Sequence, residues 1–502
     1  METSLSATED QLLDSLSFKL PTTANYIVNR EDVTIFPANV NEFSPVGVKI
    51  MRFTISGTGW LDPRSVRVQF KLTNRDPANI MFLVNALPHN FIRRMRILMG
   101  GTLIEDIDYY NRVVNMMHVL YPTEKRFNDA VEGFGLSRPD INPAFQALNY
   151  TSDMLPGMTR VVLFPLLSGL FSQEKYLPLR FTQGIQIELE IVNQFTDCVL
   201  ANVVEAPNAW APLGCPNAVF PQVVFSTNWV ISEAQIKASV VTLDSQLDNE
   251  YTDHLMSGKN IPIPLSSFVH QVQTIGQTDR PTLSMSRAFT RLNKVFITFY
   301  KVPYVWNLSQ VLGQDPRAVP PVITNQVALH KPLRELNYFW HPTHVYDYGT
   351  VSLTNNDISP VEPFRSFQGG AYQGSQSDVE LQLQIGSKVI PILPSRSQAE
   401  QFYQLRKGIM GDANQHSTFS ITDREYRSIK YINCFDLQKV PGAFSSGVST
   451  RTGDLITIKV LNLHHVDLQD RIWPDTYADF IHATFAHDLV VSITDAGVTI
   501  LE

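Results

Sequence analysis

Apolar and polar residues alternate in stretches that lie far apart along this 502-residue chain. Val66, Val68, Phe70 and Leu72 interleave with Arg67, Gln69, Lys71 and Thr73. Ile185, Ile187, Leu189 and Ile191 interleave with Gln186, Glu188 and Glu190, and Val379, Leu381, Leu383 and Ile385 with Glu380, Gln382 and Gln384. Successive side chains of a strand point to opposite faces, so the pattern makes strands with one buried and one wet face. Antiparallel sandwiches are built of such strands, whereas parallel α/β sheets bury both faces. Further strand-like runs lie near 46–56, 91–99, 160–166, 223–241, 289–300, 429–436, 455–461 and 488–500. The 31 prolines and 25 glycines fall largely between them. Many short strands separated by turn residues predict an all-β sandwich or barrel.

Helices are few. One is predicted over about 107–120, with Ile107, Tyr110, Val113, Val114 and Met117 on one face and Pro122 after it. A second is predicted over 396–407, capped by Ser395, with Ala399, Phe402 and Leu405 inside and Gly408 at its end. A third spans about 244–257 and stops at Gly258. Residues 5–20 read as a short amphipathic helix ended by Pro21. Ser6 and Glu9 have capping-box spacing, and Leu12, Leu13 and Leu16, joined by Phe18, form an apolar face that needs something to pack on.

The first two helices have matching surroundings. Met95–Met99, the Gly100-Gly101 turn and Leu103–Ile107 precede one; Val379–Ile385, Gly386 and Val389–Leu393 precede the other. Downstream, Ile185, Ile187 and Leu189 follow Phe164 by 21, 23 and 25 residues, and Ile456, Ile458 and Val460 follow Phe435 by the same three spacings. Two coincidences in the same order predict a duplicated unit of more than 200 residues. The boundaries expected are an N-terminal arm (1–31), a first sandwich (32–242), a linker with a short helix (243–261) and a second sandwich (262–502).

Composition narrows the function. Charged residues make up 18% of the chain, below the roughly 25% of an ordinary soluble protein. A neutral surface suits a protein that buries faces against neighbours, and equally suits Thr/Asn/Gln-rich β-loops. Net charge is −8 and the densest basic spot is Arg93, Arg94 and Arg96, read as the solvated side of a strand; phosphate binding needs more cations on one face. Cys198, Cys215 and Cys434 are odd in number and form no CxxC pair, so neither a disulfide framework nor a zinc site is expected. Residues 1–20 have the wrong charge sign for a signal peptide, no run approaches 18 apolar residues, and Asn149 and Asn307 are read as chance glycosylation matches.

There is no GxSxG, HExxH, P-loop or GxGxxG motif. His464, His465 and Asp467, or His482 with His487, could sketch a metal site, but strand-end histidines are more commonly surface or hydrogen-bonded groups. Trp340, Trp473, Tyr346 and Tyr348 could line a sugar site, since jelly rolls also occur in lectins; as aromatics of a sandwich they fit core or interface better. No catalytic residue, metal or cofactor is expected. A carbohydrate-binding β-sandwich or virion spike protein remains the alternative reading.

Several stretches resemble the double jelly-roll major capsid proteins of the adenovirus-hexon lineage, which includes nucleocytoplasmic large DNA viruses, virophages and polinton-like viruses. His330-Lys331-Pro332-Leu333-Arg334-Glu335-Leu336 before Trp340 is similar to the family's HPxKEL strand. Phe435-Asp436-Leu437 through Ser445-Ser446-Gly447 is similar to its SFxLxP…PSG segment, although Val448 and Ser449 stand where Asn and Phe are usual. Val379–Pro391, Asp488–Ile500, Leu177–Phe181 and Val240–Leu265 fit it too.

The resemblance implies two tandem eight-stranded antiparallel jelly-roll sandwiches. It also implies a homotrimer with pseudo-hexagonal outline, tiling the icosahedral shell of a double-stranded DNA virus and therefore located in the virion. Partners would be the chain itself, neighbouring capsomers, minor capsid or penton proteins and an internal membrane, with no sequence-specific nucleic acid. Leu12, Leu13, Leu16 and Phe18 of the arm are the expected assembly contacts, on the inner side of the shell.

Overall fold

The structure is a computed structural model. It describes residues 26–77, 81–83, 87–134, 153–192, 199–204, 221–225, 228–275, 278, 280–285, 287–300, 339, 379–410, 421, 426, 430–451, 454–463 and 480–501. The arm helix predicted over 5–20 lies outside these residues.

Sixteen strands carry the architecture. The first eight are β1 (Ile27–Ile35), β2 (Ile50–Ile55), β3 (Trp60–Asn74), β4 (Ile92–Met99), β5 (Thr102–Asp108), β6 (Thr159–Pro165), β7 (Ile185–Ile191) and β8 (Trp229–Leu243). The second eight are β9 (Ile261–Thr274), β10 (Thr282–Met285), β11 (Leu292–Tyr300), β12 (Glu380–Ile385), β13 (Lys388–Ser395), β14 (Ile432–Asp436), β15 (Ile456–Leu461) and β16 (Phe480–Thr494). All pairings among them are antiparallel. In the first half the sheets run β1-β8-β3-β6 and β2-β7-β4-β5. In the second they run β9-β16-β11-β14 and β10-β15-β12-β13. Adding eight to every strand number of the first half gives the second. Four strands in each sheet, interleaved in this order along the chain, make an eight-stranded jelly roll twice over, as predicted. The first strand begins at Ile27, inside the segment 1–31 expected as an arm.

The matched spacings have a structural cause. Ile185 sits between Ile55 and Met99 across β2 and β4. Ile456 sits in the same place in the other half, between Met285 and Ile385. Each half turns its hairpin on glycine with positive φ, Gly100 at 58° and Gly386 at 55°, a backbone region costly for residues with a Cβ.

The alternating apolar residues form two cores. One collects Met51, Phe53, Val68, Phe70, Met95, Ile97, Ile187 and Ile236 from both sheets of the first half. The other collects Leu283, Val295, Ile297, Leu381, Leu383, Ile458 and Phe485 from the second. They interlock. β9 and β16 are long, and Ile263, Leu265, Leu489 and Val491 at one end of each pack into the first core, while Val269, Ile481, Ala483 and Phe485 pack into the second.

Three helices follow the expected positions with informative differences. α1 (Tyr110–Val119) starts after Ile107, which belongs to β5. It is buried on nearly every side rather than on one face. Tyr110, Val113 and Val114 enter the first core and Met116 and Val119 the second, so the helix passes between the halves. Several of its buried polar groups are paired: Asn115 Nδ2 donates to Asn90 Oδ1 (2.6 Å) and the Asn111 carbonyl (2.7 Å), and the Leu167 N–H donates to Tyr110 Oη (2.6 Å).

α2 (Ser245–Met256) docks through Tyr251 and Asp248 against Trp60, whose Nε1 donates to Asp248 Oδ1 at 3.3 Å. α3 (Gln398–Met410) is capped by Ser397, not Ser395. The Glu400 N–H donates to Ser397 Oγ (3.1 Å), and the Glu400 carboxylate accepts the N–H of Arg396, one residue before the cap (3.1 Å). Ser395 is still in β13, where its Oγ donates to the Leu381 carbonyl. Ala399 faces solvent, and buried Gln401 takes the inner position. Gly408 does not end the helix; it lies inside it, where Cys434 Sγ occupies the space a Cβ would need. Among the described residues no helix is long and apolar enough to cross a membrane.

Candidate functional site

The polar groups that sequence reasoning singled out for chemistry are distributed by the fold, and the richest cluster sits where the two halves meet. β5 places Glu105 against β9. Its carboxylate accepts the N–H groups of Gly169 (2.9 Å) and Leu170 (3.2 Å) and the hydroxyls of Ser168 and Ser267. Burial raises the pKa of Glu105, and the donors from Ser168, Ser267, Gly169 and Leu170 oppose that rise. Nearby, Thr102 Oγ1 donates to the Val498 carbonyl at 2.9 Å, a second polar tie across the seam. Buried and with both oxygens engaged, Glu105 is arranged to hold backbone and hydroxyls in place.

A second buried cluster lies on the neighbouring part of β9 and β16. His270 Nε2 and His482 Nδ1 are 2.9 Å apart, and His270 Nδ1 is 2.9 Å from Thr484 Oγ1. Both imidazoles lie against the ring of Tyr109, which precedes α1. Arg93 lies over that same ring (4.2 Å) and Arg112 of α1 over Tyr300 (3.7 Å). Burial pushes His270 down to about 3, with Arg112 and Arg93 adding to the shift; burial also holds His482 well below the usual histidine range. The pair is therefore neutral at physiological pH, one ring donating and the other accepting.

His482 thus pairs across the sheet with His270, not with His487 as a metal site would require. His487 packs on Phe289 and is pushed down to about 4, mainly by burial. Five residues apart on one strand, the two histidines fall on opposite faces. Among the described residues no group of three or more His, Cys, Asp or Glu is placed to hold a metal ion. The sequence signal that could have found His270 is weak, because its partner lies 212 residues away.

Arg93, Arg94 and Arg96 are part-exposed on β4, and each is paired with a carboxylate. Arg94 grips Asp106 with two bonds of 2.7 Å, Arg96 reaches Glu188 at 3.1 Å and Arg93 reaches Asp108 at 3.4 Å. Glu188 also takes Arg52 at 2.9 Å. Each cation is spent on a cross-strand carboxylate, which leaves little charge to attract phosphate. Cys434 is free and buried, and burial pushes its thiol up to about 12, the state of an inert core cysteine.

The connections β3–β4, β5–β6 and β7–β8 leave one end of the first jelly roll. Short segments of them, 81–83, 153–154, 199–204 and 221–225, pair into an extra four-stranded sheet. The equivalent connections of the second half cover 301–379, 396–431 and 462–479. Trp340, Tyr346, Tyr348, Trp473, His464, His465, Asp467 and Asn307 fall in these connections, outside the described residues, and Cys198, Cys215 and Asn149 fall outside them in the first half. Leu12, Leu13, Leu16 and Phe18 also lie outside them.

No protein-family model matches the sequence, and no curated protein matches it. Solved structures do. The chain is similar to PBCV-1 VP54, in the crystal structure fitted into a reconstruction of the virophage Sputnik. That match has a TM-score of 0.53 and 9% identity over 97% of this chain and 100% of the other. A quasi-atomic description of the PBCV-1 virus capsid gives the same values. The Sputnik virophage structure gives 0.53 and 11% over 97% of this chain and 90% of the other. The fold is a double jelly roll. At such low identity the likeness extends to the path of the backbone through both sandwiches, and the residue-level features above are this double jelly roll's own.

Proposed function

We propose that this chain is a major capsid protein: a structural subunit that closes into a homotrimer of pseudo-hexagonal outline and paves the icosahedral shell of a double-stranded DNA virus. One observation carries the reading, the same eight-strand order twice in one chain. Two similar sandwiches per chain under three-fold symmetry give six lobes around a ring, and a hexagonal tile is the shape that covers a shell facet. The low charged fraction and the pairing of the β4 arginines with cross-strand carboxylates favour a structural role over catalysis.

On this reading residues 32–242 and 262–502 act as the two lobes, joined by 243–261. The arm, which precedes β1 at Ile27, faces the interior and uses Leu12, Leu13, Leu16 and Phe18 against a neighbouring subunit, a minor capsid protein or an internal membrane. The connection ends bearing the extra sheet face outward. Light scattering on purified full-length chain tests this: a particle of three times 56.7 kDa is expected, and a stable monomer or dimer at micromolar concentration contradicts it and favours a carbohydrate-binding sandwich.

A further inference from the structure

The end of the second sandwich opposite its long connections carries cations that the chain leaves unneutralised. Residues 287–291, between β10 and β11, and 437–451, after β14, are woven together there. The Phe289 N–H donates to Thr450 Oγ1 (2.8 Å), and that hydroxyl donates to the Arg287 carbonyl (3.1 Å). Leu292 and Val448 exchange two backbone hydrogen bonds (2.8 and 2.9 Å), and the Asp488 N–H of β16 donates to the Arg291 carbonyl (3.0 Å). Arg287, Arg291, Lys439 and Arg451 thus share one surface. Among the described residues none of the four is in an ion pair; Arg287 lies over the Phe289 ring at 5.9 Å. Asp488 is buried and is engaged by Ser266 Oγ and the Ser445 N–H. Between the cations Val440 and Phe444 are 58% and 43% exposed. At the same end of the first sandwich the cations are paired, Arg30 with Asp62 (2.6 Å), Arg64 with Glu174 (2.7 Å) and Arg180 with Asp248 (3.0 Å).

We propose that this surface seats the arm, residues 1–25, of a neighbouring copy. The inference rests on the reading above, in which copies lie side by side with this end inward. The arm is complementary in both respects. It carries Glu2, Glu9, Asp10 and Asp14 against the single Lys19, and Leu12, Leu13 and Leu16 supply apolar groups for Val440 and Phe444. Asp10 and Asp14, four residues apart, share a face of the helix expected there. The arm also leaves from the right end. The Asp244 N–H donates to the Tyr26 carbonyl (2.8 Å), so the chain ahead of β1 emerges beside α2, where β8 hands over to β9. Residues 21–26 reach about 20 Å when extended. A bilayer of anionic lipid has the same sign of charge as the arm, but Glu250 and Asp253 stand exposed on α2 at this end and would repel it, whereas a short segment touches the cations alone.

Fluorescence anisotropy of a labelled synthetic peptide of residues 1–25, titrated with the full-length chain, tests it. The peptide should bind saturably. Arg287→Glu with Arg451→Glu, both at exposed positions, should weaken binding by about tenfold or more while light scattering shows the same particle as the parent. A peptide carrying Asp10→Lys and Asp14→Lys should reverse the preference and bind the double variant more tightly than the parent. A trimeric parent that ignores the peptide, or a peptide that binds parent and double variant alike, overturns the docking and leaves the trimer standing. Binding of the parent to phosphatidylserine vesicles through the same two arginines, without peptide binding, gives the surface to an anionic bilayer and overturns the docking as well. A parent that stays monomeric overturns the tile and, with it, the neighbour.

Discussion

Buried neutral histidines make this molecule sensitive to acid. His89 and His487 are pushed down to about 4 and His270 to about 3, each chiefly by burial, and His118 and His482 are lowered as well. Unfolded histidine titrates near 6.5, so below that pH the unfolded chain takes up protons that the folded chain refuses until its own lower pKa is reached. Stability therefore falls as pH drops from about 6.5 toward 4, by about 2 kcal/mol at pH 5 for each of His89, His270 and His487. Glu105, whose pKa is raised, works in the other direction and costs stability as pH rises through its folded value, but it is one group against five. Thermal unfolding should show a lower Tm at pH 5 than at pH 7.5, and His487→Gln, on a half-buried position, should recover part of the loss; a Tm unchanged over that range contradicts neutral burial. Truncating Glu105 to Ala strands two backbone N–H groups and two hydroxyls. Urea denaturation should show a loss of about 3 kcal/mol or more, because buried donors left without partners each cost about 1–3 kcal/mol. A loss below about 1 kcal/mol would mean that water replaces the carboxylate.

Among the elements, α3 offers the sharpest check. An interior helical glycine ordinarily costs about 1 kcal/mol against alanine. At Gly408 the Cβ would run into Cys434 Sγ on β14, so Gly408→Ala should destabilise by about 1–3 kcal/mol instead. Adding Cys434→Ala should remove much of that cost, and additive effects in this cycle would contradict the packing. What sequence reasoning reached at this scale was the strands, the hairpin glycines and the matched Phe-to-Ile spacings, because period two and glycine turns are local signals. It placed the cap of α3 two residues early, since Ser395 and Ser397 are equally good caps in sequence, and only the strand pairing of Leu381 with Ser395 keeps the first in β13. It gave α1 one buried face because the covering surface on the other side comes from the second half. Glu105, His270 and the Arg–carboxylate pairs were out of reach for the same reason: their partners are set by cross-strand register and by the seam.

For the whole molecule, the arm and the ring can be separated. Because β1 begins at Ile27, a chain lacking residues 1–25 keeps every described strand. It should still form trimers while giving few closed shells, since burying Leu12, Leu13 and Leu16 would contribute roughly 5–9 kcal/mol before ordering costs at contacts outside the ring. Wild-type shell yield from that chain, scored by electron microscopy, would remove the role given to the arm. The central claim is that one chain supplies two lobes of a six-lobed tile. Electron microscopy of the purified full-length protein tests it most directly. Class averages should show a closed ring of six lobes with three-fold symmetry, and two-lobed particles that remain separate at micromolar concentration would contradict it.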